Sequence, residues 1–449
     1  MSEQEKTSVR LKVDDAVRIP SMVDLYLNGS NPPDIVLLQL DSEKFPRRTL
    51  DFPEDVRKYV MTHPKVKVEW DYNVDTFTSK QDDFTSERKL EVSLITCHYG
   101  GKMNFNRKTA MLQALYNWFI QSHIPNDIIF IELVIDGDFM FSKSDFPSFV
   151  KYVRIEGNKS NKGVFQKECL WNIGAKLAKN DKMIFVDYDT SPVGDVDWFY
   201  KIDKQLDKSL FTQGFRKITY LDQNGSSQFS NYCMTYVITN KLERGDAVPG
   251  GSYCIRRELY NAIGGFNDRC FSGCGDAVFF NELSKKYIDT YYYNISINMS
   301  QRSLNINEVQ QIAKKLGMDL FGSLDIDLCH FFHGDLSDRS YNVREYLALM
   351  LYPFNDYFYI DEQGLISWKY MDVSLYDSFC AINKLNNSIS NAQKMIGKSI
   401  NLVFFKNRID EIRRTFEKTQ SVYLLNREMN KMIDYVKENY WRISEESQR

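Results

Sequence analysis

Between residues 91 and 189 the chain switches repeatedly between two kinds of segment. Residues 91–97 (EVSLITC), 128–135 (IIFIELVI) and 183–186 (MIFV) are short, strongly apolar runs. Between them, residues 106–121 and 167–179 carry apolar side chains at helical spacing. Strand, helix, strand, helix, strand is the alternation of a parallel α/β sheet whose strands are buried on both faces. Ligands of such sheets bind beyond the carboxyl ends of the strands. Thr96, Asp136, Asp187 and Asp189 stand at or just past those ends. The alternation therefore predicts that they share one edge, although they are far apart in sequence.

The rest of the chain sets the frame. At 449 residues it is too long for one small core and is read as two or three units. A 43% hydrophobic fraction and a net charge of −3 exclude a disordered chain and give no global basic signal for nucleic acid. No apolar run has membrane-spanning length, and the start, MSEQEKTSVRLKVDD, is too polar for a secretory signal; a cytoplasmic protein is expected. The eight cysteines form no CxxC pair and read as reduced, buried thiols.

Residues 1–89 are expected to form an extension with a strand at 34–40, a short helix around 56–61 and a polar linker at 76–89. Residues 90–345 form the α/β unit, and residues 346–449 a mainly helical region that opens with a hairpin at 359–368 turning at Gln363-Gly364. From about 407 to 440, Ile409, Ile412, Phe416, Val422, Leu425, Met429, Met432, Val436 and Tyr440 recur at three- and four-residue steps. With a break near Thr419, that is one long amphipathic helix or a pair of them, packed either on the chain's own α/β unit or on a second copy as a dimer seam.

Two carboxylates as close as Asp187 and Asp189 repel each other unless a cation sits beside them. Oxygen ligands of this kind suit Mg²⁺ or Mn²⁺, and such an ion typically bridges to nucleotide phosphates. A capping or turn role for each Asp is the plainer alternative, and the pair alone does not decide. Residues 329–344, CHFFHGDLSDRSYNVR, hold two of the five histidines, His330 and His333, together with Arg339 and Arg344. Planar guanidinium forks suit a diphosphate. Taken singly these residues read as packing or a solvated face; as a cluster they read as part of a site. Asp276 stands between glycines 273 and 275 and a helix expected at 277–286, so it is either an N-cap or a ligand-facing carboxylate.

Residues 249–283, PGGSYCIRRELYNAIGGFNDRCFSGCGDAVFFNEL, bear on that choice. With VSLIT at 92–96, ELVIDGD at 132–138 and WNIGAKLAKNDKMIFVDYD at 171–189, the chain resembles the GT-A glycosyltransferases. The likeness is to the family-2 type and to the carboxyl-terminal half of the β-1,4-galactosyltransferase type, over roughly residues 90–345. It implies a GT-A fold, a Rossmann-like, mostly parallel mixed sheet. It implies a nucleotide-diphosphate sugar donor, UDP-sugar first, and a Mn²⁺ or Mg²⁺ ion. Asp189 would hold that ion with His333, or else His330, and Asp187 would lie near the ribose or the ion. Asp276 would be the catalytic base. Asp136, Thr96, Asn172 and Gly251 would line the nucleotide, and Arg339 and Arg344 would reach the diphosphate.

The chain departs from the family at Gly275, where an acid usually precedes the base. That leaves the acceptor open, and with it inverting against retaining chemistry. Phage-type enzymes that glycosylate hydroxymethylated DNA bases are a further alternative. Residues 394–449 carry twelve Lys and Arg against eight Asp and Glu, which keeps phosphate contact open. The non-enzyme alternative is a nucleotide-binding scaffold on the same fold.

Overall fold

The computed structural model of the chain describes residues 8–11, 35–39, 67–71, 89–99, 105–119, 121–135, 137–146, 149–194, 197–222, 225–242, 247–283, 306–333 and 354–369. Three strands come first: β1 (Ser8–Leu11), β2 (Ile35–Gln39) and β3 (Lys67–Asp71) pair in parallel in that order. The strand expected at 34–40 is β2. The helix expected around 56–61 lies outside the described residues.

The α/β unit follows as β4 (Lys89–Tyr99), α1 (Phe105–Phe119), β5 (Ile124–Ile135), β6 (Val150–Gly157), α2 (Lys167–Leu177) and β7 (Lys182–Val186). Next come β8 (Thr190–Pro192), α3 (Trp198–Gln205), β9 (Ser209–Thr212), β10 (Lys217–Leu221), β11 (Ser227–Tyr232), α4 (Met234–Thr239) and β12 (Ser252–Arg256). The unit continues with α5 (Arg257–Ala262), α6 (Gly275–Leu283), α7 (Ile306–Leu316), β13 (Asp319–Phe321) and β14 (Asp327–His330). Then α8 (Phe354–Tyr357) leads into the hairpin β15 (Phe358–Ile360) and β16 (Ile366–Trp368), which turns with Gly364 at φ +82° as its Gln-Gly pair foretold.

Seven strands form the main sheet in the order β13-β9-β12-β7-β4-β5-β6. β7, β4, β5 and β6 run parallel, and β12 lies antiparallel between β7 and β9. A second sheet has the order β11-β10-β14-β8. The architecture is mixed α/β with a mostly parallel sheet, compatible with a Rossmann-like fold. Among the described residues no helix is long and apolar enough to cross a membrane.

Strict alternation along the central strands builds two cores. In β5, Ile128 and Phe130 face one layer with Trp118, Trp198 and Phe199, while Ile129, Ile131 and Leu133 face the other with Trp171, Phe266 and Phe279. In β7, Ile184 and Val186 join the first layer, and Met183 and Phe185 the second. Successive side chains of a strand point to opposite faces, so a nearly continuous apolar run is what a strand covered on both sides requires.

Helix α2 presses on the sheet at Gly174, where an added Cβ would overlap the Cγ2 of buried Ile95. Gly174→Ala would gain about 1 kcal/mol in helix propensity. The overpacking should cost about 1–3 kcal/mol against it. The net expectation is a lower midpoint in urea unfolding of the full chain.

Candidate functional site

Strands β4, β5 and β6 follow one another outward, and β7 then returns to the other side of β4. The reversal of order lies between β4 and β7, and the crevice beyond such a reversal is where α/β sheets bind ligands. Thr96 is buried there, its hydroxyl donating to the Val186 carbonyl at 2.7 Å and tying the two strands together. Beyond Val186 the Asp187 N–H donates to the Gly251 carbonyl at 3.0 Å. Gly251 has φ +97°, and a Cβ on it would come within 3.1 Å of Phe215. Only glycine fits that position without strain.

If the strand continued, alternation would put Asp187 and Asp189 on the same face, toward α2. It does not continue. The Thr190 N–H donates to the Asp187 carbonyl at 3.1 Å, and the Thr190 hydroxyl donates to the same oxygen at 2.8 Å. This turn keeps Asp187 on the α2 side and carries Asp189 toward the second sheet.

On that side β14 runs antiparallel to β8 with His330 opposite Thr190, and the Phe331 N–H donates to the Asp189 carbonyl at 2.7 Å. The imidazoles close on the Asp189 carboxylate: His333 Nε2 lies 3.0 Å from Oδ2 and His330 Nε2 3.5 Å from Oδ1. One ligand atom from each of the three residues lies within 4.8 Å of the others. Asp189 is only 5% exposed, and its Oδ1 has no hydrogen-bond partner.

An orphaned carboxylate oxygen beside two buried imidazoles fits a divalent metal ion. Two imidazoles and one carboxylate make a poor set for Mg²⁺, which prefers oxygen. Burial works against the charge on Asp189, but His330, His333 and Arg107 hold its carboxyl well below the usual carboxylate range. Rings extend across the second sheet from this point. Tyr220 lies against His330 at 4.7 Å between centroids, and Phe229 stacks on Tyr220 at 4.5 Å. These contacts orient His330.

A second group occupies the α2 side. Lys167 Nζ lies 3.4 Å from Asp187 Oδ1 and rests over the Trp171 ring at 4.6 Å. Burial disfavours its charge, yet the fields of Asp187, Asp276 and Glu168 keep the ammonium above its ordinary range. Burial also raises the Asp187 carboxyl; Lys167 opposes this, and Asp189 and Asp276 add to it. Glu168, in the first turn of α2, is buried. Burial pushes its carboxyl up to about 7, with Lys167 pulling against and Asp276 adding.

Asp276 was expected just before a helix. It lies instead within the first turn of α6, where its Oδ1 accepts from the Ala277 N–H at 2.9 Å. Its Oδ2 would be 2.6 Å from a Cβ on Gly250. The Tyr253 hydroxyl donates to its carbonyl at 3.1 Å.

Asp189, His330 and His333 thus meet as a group, and Asp187 stands apart from it with Lys167. Asn172 is engaged in packing. Its Oδ1 accepts from the Tyr260 hydroxyl at 2.8 Å and the Phe266 N–H at 2.9 Å, and its Nδ2 donates to the Phe266 carbonyl at 3.0 Å. Asp136, Arg339, Arg344 and the helix expected at 407–440 lie outside the described residues.

Lys167, Glu168 and Arg107 were not singled out from the sequence. A readable signal existed for the first two. A helix that enters a parallel strand begins at the same edge where strands end, so its first turn belongs to the site. Arg107, which donates to the Tyr188 hydroxyl at 3.1 Å, gave no comparable signal.

No protein-family model matches the sequence, and no curated protein is similar to it. Among solved structures, a crystal structure of GalNAc-T7 with UDP, GalNAc and Mn²⁺ is similar at a TM-score of 0.29 and 12% identity. The similarity covers 51% of this chain and 55% of that one, about half of its length. A likeness this distant carries no weight for chemistry.

Glu168 makes stability depend on pH. Below about pH 4.5 its carboxyl is protonated in the folded and unfolded chain alike. Between there and about 7 only the folded chain keeps the proton, so rising pH favours unfolding. The cost reaches about 3 kcal/mol and is constant above that range. Glu168→Gln should flatten this descending limb when unfolding free energy is measured against pH.

Proposed function

We propose that the protein is a divalent-metal-dependent glycosyltransferase. It takes a UDP-sugar and transfers the sugar to an acceptor hydroxyl with inversion. The observation that carries the reading is the division of the sheet edge. A buried Asp189, His330 and His333 group lies on one side of the turn at 187–190, and the Asp276 carboxylate belongs to the charged group on the other. Displacement at an anomeric carbon needs this separation, because the leaving group and the attacking hydroxyl lie on opposite faces of the sugar.

Asp189, His333 and His330 would hold Mn²⁺. When bound, the ion supplies positive charge against the departing diphosphate. Arg339 and Arg344 are assigned to the same diphosphate, and Asp136 with Thr96, Asn172 and Gly251 to the nucleoside side. For Thr96 and Asn172 that role is indirect, since their polar atoms already hold β7 and the loop before Asn267. Asp187, held by Lys167, faces the ribose.

Asp276 takes the proton of the acceptor hydroxyl as its oxygen attacks the anomeric carbon. The bond to the diphosphate oxygen breaks with its electron pair, and UDP leaves. In an acceptor subsite shielded from water the carboxylate needs only to be ionised and within reach.

Two variants test this. Asp189→Asn should abolish Mn²⁺-dependent UDP binding, read by thermal shift, with the circular dichroism spectrum unchanged. Unaltered Mn²⁺-dependent binding would remove the metal assignment. Asp276→Asn should lower turnover by about 10² to 10⁴ while UDP binding persists. Near-normal turnover would point to the retaining alternative, in which Asp276 only positions the acceptor.

A further inference from the structure

Lys167 opens the first turn of α2, and Gln166 before it holds the cap position. The Gln166 carbonyl accepts the first helical bond from the Leu170 N–H at 2.9 Å, but its side chain makes no capping bond. That side chain turns to the hairpin instead. Its Nε2 donates to the Ile366 carbonyl at 2.8 Å, and its Oε1 accepts from the Ile366 N–H at 2.9 Å. Gln166 is 1% exposed and Ile366 is fully buried.

The hairpin's own ladder explains why Ile366 has both groups to offer. The Asp361 N–H donates to the Leu365 carbonyl at 2.9 Å, and the next pair along is Ile360 with Ile366. Antiparallel pairs alternate between bonded and non-bonded, so Ile366 turns its N–H and carbonyl outward from β15. The Gln166 amide meets that edge as the backbone of a third strand would. A two-stranded hairpin alone is marginal, and this partner completes it.

The loop before α2 adds further bonds to the same hairpin. Asn161 Nδ2, fully buried, donates to Ser367 Oγ at 2.7 Å and to Asp361 Oδ2 at 2.8 Å. The Trp368 indole donates to the Lys162 carbonyl at 3.0 Å. Buried polar groups are costly to leave without partners, so the loop and the hairpin hold one joint geometry. Lys167 follows that loop directly.

We infer that Gln166 is a positioning residue: clasped to the hairpin, it fixes where α2 begins and so holds the Lys167 ammonium against Asp187. The hairpin at 358–368 is then a part of the sheet edge, although it lies far along the chain. The clasp acts on one half of the edge only, because Asp189, His330 and His333 are joined through the second sheet. Its consequence for UDP rests on the glycosyltransferase reading; the clasp itself does not.

The test uses the full chain. Gln166→Met keeps the length of the side chain and removes both hydrogen bonds to Ile366. Trp368→Phe keeps an aromatic ring and removes one bond from the hairpin side, which decides the matter if Gln166→Met does not fold. Ile128→Val, a small loss from the first core layer, is the control for lowered stability. Two readouts are taken: acylation of Lys167 by an amine-reactive ester, followed by mass spectrometry, and titration with Mn²⁺ and with UDP.

The Lys167 side chain is 14% exposed and paired, so it should react slowly in the wild-type chain. Its rate should rise about 10-fold in Gln166→Met, rise in the same direction in Trp368→Phe, and stay unchanged in the control. Mn²⁺ affinity without UDP should match wild type throughout, while Mn²⁺-dependent UDP binding weakens about 10-fold in Gln166→Met. A Lys167 that reacts as in wild type in either folded clasp variant would overturn the inference. So would an equal loss of Mn²⁺ and UDP binding, which would make Gln166 a support of the whole fold. A wild-type chain that binds no UDP would overturn the donor reading alone, since the acylation rates still decide the clasp.

Discussion

Two hydrogen bonds from Thr190 to one carbonyl, that of Asp187, decide what the edge of the sheet can do. Without that turn, Asp187 and Asp189 would follow β7 onto one face and repel each other in a buried place. With it, each carboxylate meets a different partner. Asp187 stays with Lys167 on the α2 side, and Asp189 reaches His330 and His333 on the second sheet. The rest of the architecture supports the turn. Gly251 holds the Asp187 N–H, the Trp118 indole donates to the Thr190 carbonyl at 3.0 Å, and β14 is tied to Asp189 through Phe331.

The division also shapes the electrostatics. On the α2 side Lys167 is the cation that acts on Asp187 and Glu168, and Asp276 adds its field to the same group. Burial is the main reason that Glu168 keeps a high proton affinity, with Asp276 adding to it against Lys167. On the other side Asp189 meets His330, His333 and Arg107, and its carboxyl is held far in the opposite direction. Two carboxylates two residues apart thus sit in opposed environments. A divalent ion would find ligand atoms around Asp189, and it has no such place beside Lys167. The asymmetry comes from the fold.

Much of this was legible in the sequence where residues repeat a period. The runs ending at Thr96 and Val186 announced β4 and β7, and the helical spacing announced α1 and α2. Elements without a period were missed. β6 alternates burial irregularly at the sheet's edge, and β8 and β14 are too short to show an alternation. The second sheet, which brings His330 to Asp189, joins residues more than a hundred positions apart through those short strands. The sequence offered both histidines as metal ligands, His333 before His330. In the structure both close on Asp189, because His330 ends β14 and His333 follows three residues later.

The site's glycines show why reading a motif by letter alone stops short. Glycines at positive φ, such as Gly251 and Gly273, answer to the backbone, and turn chemistry makes them legible. Gly250 and Gly275 answer to side chains from other elements, and nothing local betrays that. Read as a letter, Gly275 is a missing acid, and the edge beside Asp276 is short of one charge. Read in space, the volume beside Gly275 is filled by Glu168, a carboxyl of the same class entering from α2.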